Sequence, residues 1–330
     1  MSARITGVHP PAACPGGKVT IHGEGFPIGT DAPEVRLGDR AVRLTTARRS
    51  RLTFIVPGGL PGGLTQVRVG GVQGESPVLT LGAIVATGLH QVDSPVFDAE
   101  GRLYVTFSGN RGQQVPVSVF RIGRDGTRES FVRGLVNPTS MAIGPDGLLY
   151  ISSRFEGTVY RVDASGQPTA AVTDVGVACG IAFTPDGTMF VGDRSGTIFR
   201  VLQGGQATMM ATLPSSVAAF HLAMGPDRAL YVTAPTLTTR DAVFRVQLDG
   251  LVEKIDTGFG RPQGLAFGPD GTLYVIEALS GISGLYRLLP DRERDLVVSG
   301  EGLVGVAFDP EGGLVVASND TAWRLHLPTS

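Results

Sequence analysis

Two patterns of apolar and polar positions divide the chain near residue 82. Over residues 3–82 the two kinds alternate in short runs. Lys18-Val19-Thr20-Ile21-His22, Glu34-Val35-Arg36-Leu37, Leu52-Thr53-Phe54-Ile55-Val56 and Gln66-Val67-Arg68-Val69 are each followed directly by Gly or Pro. Alternation with period two between turn residues predicts strands, and about seven strands in about eighty residues predict a small sandwich. From about residue 84 onward the chain instead repeats itself. An acidic turn recurs as Glu100-Gly101, Pro145-Asp146-Gly147, Pro185-Asp186-Gly187, Pro226-Asp227-Arg228, Pro269-Asp270-Gly271 and Pro310-Glu311-Gly312. Each turn lies between two apolar strands, as in Met141-Ala142-Ile143 before and Leu149-Tyr150-Ile151 after. Asp-Gly between such runs predicts a two-residue hairpin turn, since glycine accepts its positive φ. Arg228 breaks the pattern and predicts a strained turn or one of another type.

A second marker fixes the register. Aromatic-Arg pairs recur in a third strand: Phe120-Arg121, Tyr160-Arg161, Phe199-Arg200, Phe244-Arg245, Tyr286-Arg287 and Trp323-Arg324. The expected roles are rings packed between neighbouring sheets and arginines paired with the turn carboxylates. A repeat of about forty residues with four strands is a propeller blade, and six repeats make six blades. The last repeat supplies only three strands. Ile84-Val85-Ala86-Thr87-Gly88-Leu89 is similar to the outer-strand segment Ser130–Leu135 and is expected to provide the fourth. The predicted fold is therefore all-β: a six-bladed β-propeller over 83–330, with 83–89 closing the last blade, preceded by a small immunoglobulin-like β-sandwich over 1–82 on a very short linker.

Composition narrows the function classes. The 330 residues include 47 Gly, 18 % charged residues and a net charge of −2. The glycine excess fits many turns. The near-neutral charge gives no footprint for nucleic acid or an anionic membrane, so neither is an expected partner. Lys18 and Lys254 are the only lysines, a bias that reads as base composition. No apolar run is long enough to span a bilayer, no secretory leader is recognisable, and Cys14 and Cys179 fall in different domains. A cytoplasmic bacterial protein without a disulfide is expected. Gly300-x-Gly302-x-x-Gly305 matches a dinucleotide fingerprint literally but precedes a strand, not a helix.

Two resemblances follow from these residues. Gly16-Gly17, the strand after it, His22-Gly23-Glu24-Gly25-Phe26 and Val56-Pro57 resemble an IPT/TIG immunoglobulin-like domain, a type that serves as a spacer or interaction module. The apolar strand–Pro-Asp-Gly–Leu-Tyr-Val repeats, with Asp93-Ser94-Pro95-Val96-Phe97 opening the first blade, resemble NHL repeats and the SMP-30/gluconolactonase superfamily of six-bladed propellers.

Propeller geometry places the residue that opens each innermost strand at one channel mouth, together with the exit of each second strand. The opening slots hold Asp93, Thr139, Cys179, Phe220, Gln263 and Val304. The exits hold Asp193 and Glu277, each followed by a further position where blades 2 and 3 carry Arg154 and Arg194. The superfamily resemblance implies a divalent cation, Ca²⁺ or a similar ion, that polarises a lactone or ester carbonyl. Only Asp93 matches a ligand type here, which implies a degenerate metal site. The candidate catalytic residues are Asp93, Glu277 and His221, the histidine beside the Phe220 slot. The candidate substrate-binding residues are Arg154, Arg194, Gln263, Asp193, Cys179 and Thr139. Three readings stay open: a lactonase or esterase, a non-catalytic binding or scaffold protein with a small-molecule ligand at the mouth and a protein partner on the TIG domain, and metal-free chemistry like that of strictosidine-synthase-type propellers.

Overall fold

The computed structural model describes residues 3–29, 32–90, 93–202, 204–279, 281–291 and 293–327, and among them every regular element is a strand. Blades 1 to 4 are antiparallel sheets whose strands follow in chain order from the channel outward. Their innermost strands are Val96–Phe97, Pro138–Ile143, Ala178–Phe183 and His221–Met224. Blades 5 and 6 begin with Pro262–Phe267 and Gly305–Phe308. Each innermost strand packs on the next, and the sixth packs on the first, so the ring is closed. The last blade takes its outer strand from Ala83–Ala86, which runs antiparallel to Ala322–Leu325 with Ile84 opposite Trp323.

The third-strand aromatics hold neighbouring blades together. Phe120, Tyr160, Phe199, Phe244, Tyr286 and Trp323 each belong to a different apolar cluster. Their arginines follow the expected pairing in only two blades, where Arg161 meets Asp146 at 2.8 Å and Arg245 meets Asp227 at 2.7 Å. Arg121 and Arg287 pair instead with Glu129 and Asp295, opposite them on the outer strand. Arg200 donates to the Leu248 carbonyl, and Arg324 lies over the Phe97 ring.

The acidic hairpins are longer than the two-residue turns expected. In blade 2 Ile143 pairs with Leu149, leaving five residues between. Gly147 N–H bonds the Gly144 carbonyl at 2.9 Å with Gly147 at φ 74°, while an Asp146 oxygen accepts from Leu148 N–H at 3.1 Å. Pro therefore leads the turn, and the glycine follows it in the left-handed region. The fourth blade keeps this geometry despite its different residue. Arg228 N–H bonds the Gly225 carbonyl at 3.0 Å with φ 62°.

The sandwich has its own core, with Val19, Ile21, Leu37, Leu52, Phe54, Val67 and Leu79 among its buried residues. One sheet orders Arg4–His9, Lys18–Glu24, Arg51–Ile55 and Leu44–Arg48. Its other sheet does not end at the sandwich. Ala12–Ala13 lies parallel to both Val78–Leu81 and the outer strand of blade 5, Arg294–Ser299, which makes one nine-stranded sheet. Ala12 and Cys14 also sit in the apolar cluster of blades 5 and 6 with Val298, Leu303 and Trp323. The sandwich is thus welded to the ring through paired backbone and a shared core, where the sequence suggested only a tether. Gly17 makes this approach feasible, since a Cβ there would lie 2.4 Å from the Ser299 carbonyl oxygen.

Two outcomes are expected. Arg228→Gly relieves an L-residue held in the left-handed region, a strain of about 1–2 kcal/mol partly offset by the greater chain entropy of glycine, and raises stability by roughly 1 kcal/mol in denaturant unfolding. Calorimetry gives one unfolding transition for the whole chain, whereas Gly17→Val, overpacked by about 1–3 kcal/mol, lowers it and separates the sandwich as an earlier transition.

Candidate active site

The mouth is a cavity of about 440 Å³. Five of the six opening residues line it, Asp93, Thr139, Cys179, Gln263 and Val304. Phe220 is fully buried and packs toward Gly192, where a Cβ would lie 2.4 Å from its ring. The second strands hold the openers in place. The Ser152 hydroxyl donates to the Cys179 carbonyl at 2.6 Å, and the Thr233 hydroxyl donates to the Gln263 carbonyl. Thr139 donates its own hydroxyl to the Asn137 carbonyl at 3.0 Å.

The two second-strand carboxylates are not part of this mouth lining. Asp193 turns back to its own loop, accepting from Val177 N–H at 2.8 Å and Ser195 N–H at 3.1 Å. Glu277 accepts from Arg261 N–H at 2.8 Å, Leu279 N–H at 2.7 Å and Gly260 N–H, and it borders a different cavity with Phe259 and Tyr286. Both carboxylates secure the loops between blades, a role Ser153 shares in blade 2 through the Val136 carbonyl and Glu156 N–H. The structure thus places both expected site carboxylates, Asp193 and Glu277, against loop amides and outside the described mouth lining. The residue after the exit reaches the cavity in four of the six blades, where Arg154, Arg194, Ala278 and Asn319 line it. Counting this slot through every repeat would have found Asn319. Arg261, which also lines the mouth, precedes the opening slot by two residues and carries no repeat signal.

Asp93 is the only acidic side chain of the described mouth lining, against three guanidiniums. Burial pushes its carboxyl up to about 7, against the pull of Arg154 toward the ionised form. The Cys179 thiol is pushed up to about 12 by burial, so it stays protonated and neutral. His221 lies below the mouth. It lines the central channel, a space of about 370 Å³ that Asp93 also borders. Burial lowers its imidazole to about 4, and its Nε2 has no hydrogen-bond partner among the described residues. The histidine is therefore a neutral channel residue, not part of the mouth lining.

A divalent cation does not fit this donor set. Hard cations such as Ca²⁺ take 6–8 oxygen ligands. No three of His, Cys, Asp and Glu converge among the described residues, and the single mouth carboxylate stands beside guanidiniums that repel a cation.

Comparison with known proteins agrees with this architecture. The family model of the IPT/TIG domain matches residues 3–81. This segment is an IPT/TIG domain. The propeller resembles a gluconolactonase of Xanthomonas campestris, with a TM-score of 0.62, 17 % identity and coverage of 74 % of this chain and 89 % of that one. An auxiliary nutrient binding protein of Bacteroides thetaiotaomicron is similar over 98 % of this chain and 97 % of its own, with a TM-score of 0.59 and 12 % identity. At such identities the likeness shows the fold. In sequence, the pentonolactonase XacC of Haloferax volcanii is 24 % identical over 173 residues, 52 % of this chain and 59 % of that protein. The match thus spans well under two thirds of that relative.

The Asp93 shift has a testable sign. A carboxyl whose pKa is raised by folding binds its proton more tightly in the native state, so its contribution to stability is lost as pH rises from about 4 to about 7. The melting temperature of Asp93→Asn minus that of the parent protein is expected to be larger at pH 8 than at pH 5. A difference independent of pH would contradict the assigned shift.

Proposed function

We propose that the mouth binds a small anionic molecule of the sugar-acid type and opens the corresponding lactone, or a related ester, without a metal ion. The observation that carries this reading is a lone carboxyl brought near neutrality beside Arg154, Arg194 and Arg261 in one concave mouth. In this mechanism Asp93, in its ionised form, takes a proton from water as the water oxygen adds to the carbonyl carbon. Guanidinium N–H groups stabilise the developing oxyanion. The ring C–O bond then breaks, and Asp93 returns its proton to the departing alkoxide. The product carboxylate is held by the arginines, whose forked donors match it in two parallel hydrogen bonds. His221 and Gln263 line the way to the channel and take no proton in this scheme.

The pentonolactonase and gluconolactonase likenesses support the substrate class. A second reading, binding without turnover, draws on the similarity of nearly the whole chain to a nutrient binding protein, TIG domain included. The protein partner in that reading docks on the TIG domain.

The test is hydrolysis of a panel of aldonolactones and aryl esters, with and without chelator, alongside calorimetric titration with the matching aldonates. Chelator-insensitive turnover is expected to rise with pH through a midpoint near 7. Asp93→Asn is expected to lower it by about 10²–10⁴-fold and Arg154→Ala by about 10²–10³-fold. Binding of aldonates without turnover of any lactone favours the second reading. Turnover that vanishes with chelator and returns with Ca²⁺ sinks the metal-free mechanism.

A further inference from the structure

A second cavity, of about 460 Å³, lies where the TIG domain meets blades 5 and 6. Gly16, Lys18 and Ile55 form its sandwich wall, and Ser283 and Glu301 stand on the propeller wall. Ala278 and Gly302 line both this cleft and the mouth, so the two spaces adjoin. The cleft walls are held in fixed relation by the nine-stranded sheet and by the apolar cluster that Ala12 and Cys14 share with Trp323. Gly16 brings the two walls together, at φ 80° and with room for no Cβ, which would lie 2.7 Å from that of Glu301.

The cleft combines polar side chains and exposed peptide backbone with a larger share of apolar surface. Glycines 16, 281, 300 and 302 supply backbone with little side chain over it, and carbonyl oxygens keep a second lone pair even where one is used. Lys18 donates, Glu301 accepts, and Ser283 carries a buried hydroxyl with no hydrogen-bond partner among the described residues. Ile55, 41 % exposed, adds one aliphatic surface. Donors and acceptors around a small apolar face suit a pyranose ring, whose hydroxyls lie at the rim and whose C–H bonds form a face. An apolar chain would leave these polar groups unpaired, and a second carboxylate would stand against Glu301.

We propose that this cleft is a subsite for a second sugar unit, so that the preferred ligand is a disaccharide acid or its lactone. The acid end occupies the arginine-lined mouth and the glycosidically linked sugar lies against the TIG domain. This extension rests on the sugar-acid reading of the mouth. It gives the TIG domain a wall of the binding site, and because that wall is preformed, little ordering cost is added on binding.

The test is calorimetric titration of the full chain with gluconate and with cellobionate and lactobionate, in which a hexose is joined to gluconate. The disaccharide acids are expected to bind at least tenfold tighter. Lys18→Ala and Glu301→Gln, both changes at exposed side chains with the melting temperature as the folding control, are expected to erase most of that advantage while gluconate affinity stays unchanged. Equal affinity for the one-sugar and two-sugar acids in the parent protein overturns the subsite and leaves the mouth reading intact. Retention of the advantage in both variants, or an equal loss for all three acids, also overturns it. Failure of the parent protein to bind any of the acids overturns the mouth reading and the subsite with it.

Discussion

Closure of the last blade by Ala83–Ala86 is the constraint on which the rest depends. Its pairing with Ala322–Leu325 turns six sheets into a ring. Without that strand the sixth blade leaves an open edge, and the first and last innermost strands lose the reason to meet. The ring in turn gives every opening slot the same height, and this alone brings Asp93, Thr139, Cys179 and Gln263 together across 170 residues of chain. The same strand follows directly on Val78–Leu81 of the sandwich, so closing the ring also delivers the TIG domain to the edge of blade 5. Gly82, between the two strands, shows how tight this junction is: a Cβ there would lie 2.9 Å from both Cys14 Sγ and Trp323 Cβ.

The repeat was legible because each blade carries the same physical demands in the same order. The acidic turn needs a left-handed residue, and the third strand needs a ring to fill the gap to the next blade. These demands are local, so they leave marks at fixed intervals. The weld between domains left no such mark. Ala12 and Ala13 are small residues in a two-residue strand, and nothing in their type announces parallel partners on both sides. Even Gly16-Gly17, visible as part of a domain signature, gives no sign that the space beside it is filled by Ser299 and Glu301.

The carboxylates show where sequence reasoning about chemistry stops. Asp93, Asp193 and Glu277 all project near one end of the propeller, and residue type alone treats them alike. What separates them is the supply of backbone N–H groups. Asp193 and Glu277 end strands beside loops that present unpaired amides, and each carboxylate takes at least two of them. These bonds hold each carboxylate against its own loop. Asp93 opens a strand beside the mouth, where desolvation dominates and raises its carboxyl to about 7. The same contrast places His221 one step along the strand from the mouth, in the channel, buried and neutral.

The balance of charge at the mouth carries the functional argument further than fold likeness does. A propeller of this type accommodates many chemistries, because its slots are filled independently of its blades. Where a hard cation needs several oxygen ligands, this chain offers Thr139, Cys179, Gln263 and Val304 around one Asp, with Arg154, Arg194 and Arg261 in the same lining. Three guanidiniums supply positive charge at the mouth without an ion. In the proposed function an anionic ligand adds to the negative charge at this mouth, where Asp93 offers at most one and burial opposes even that.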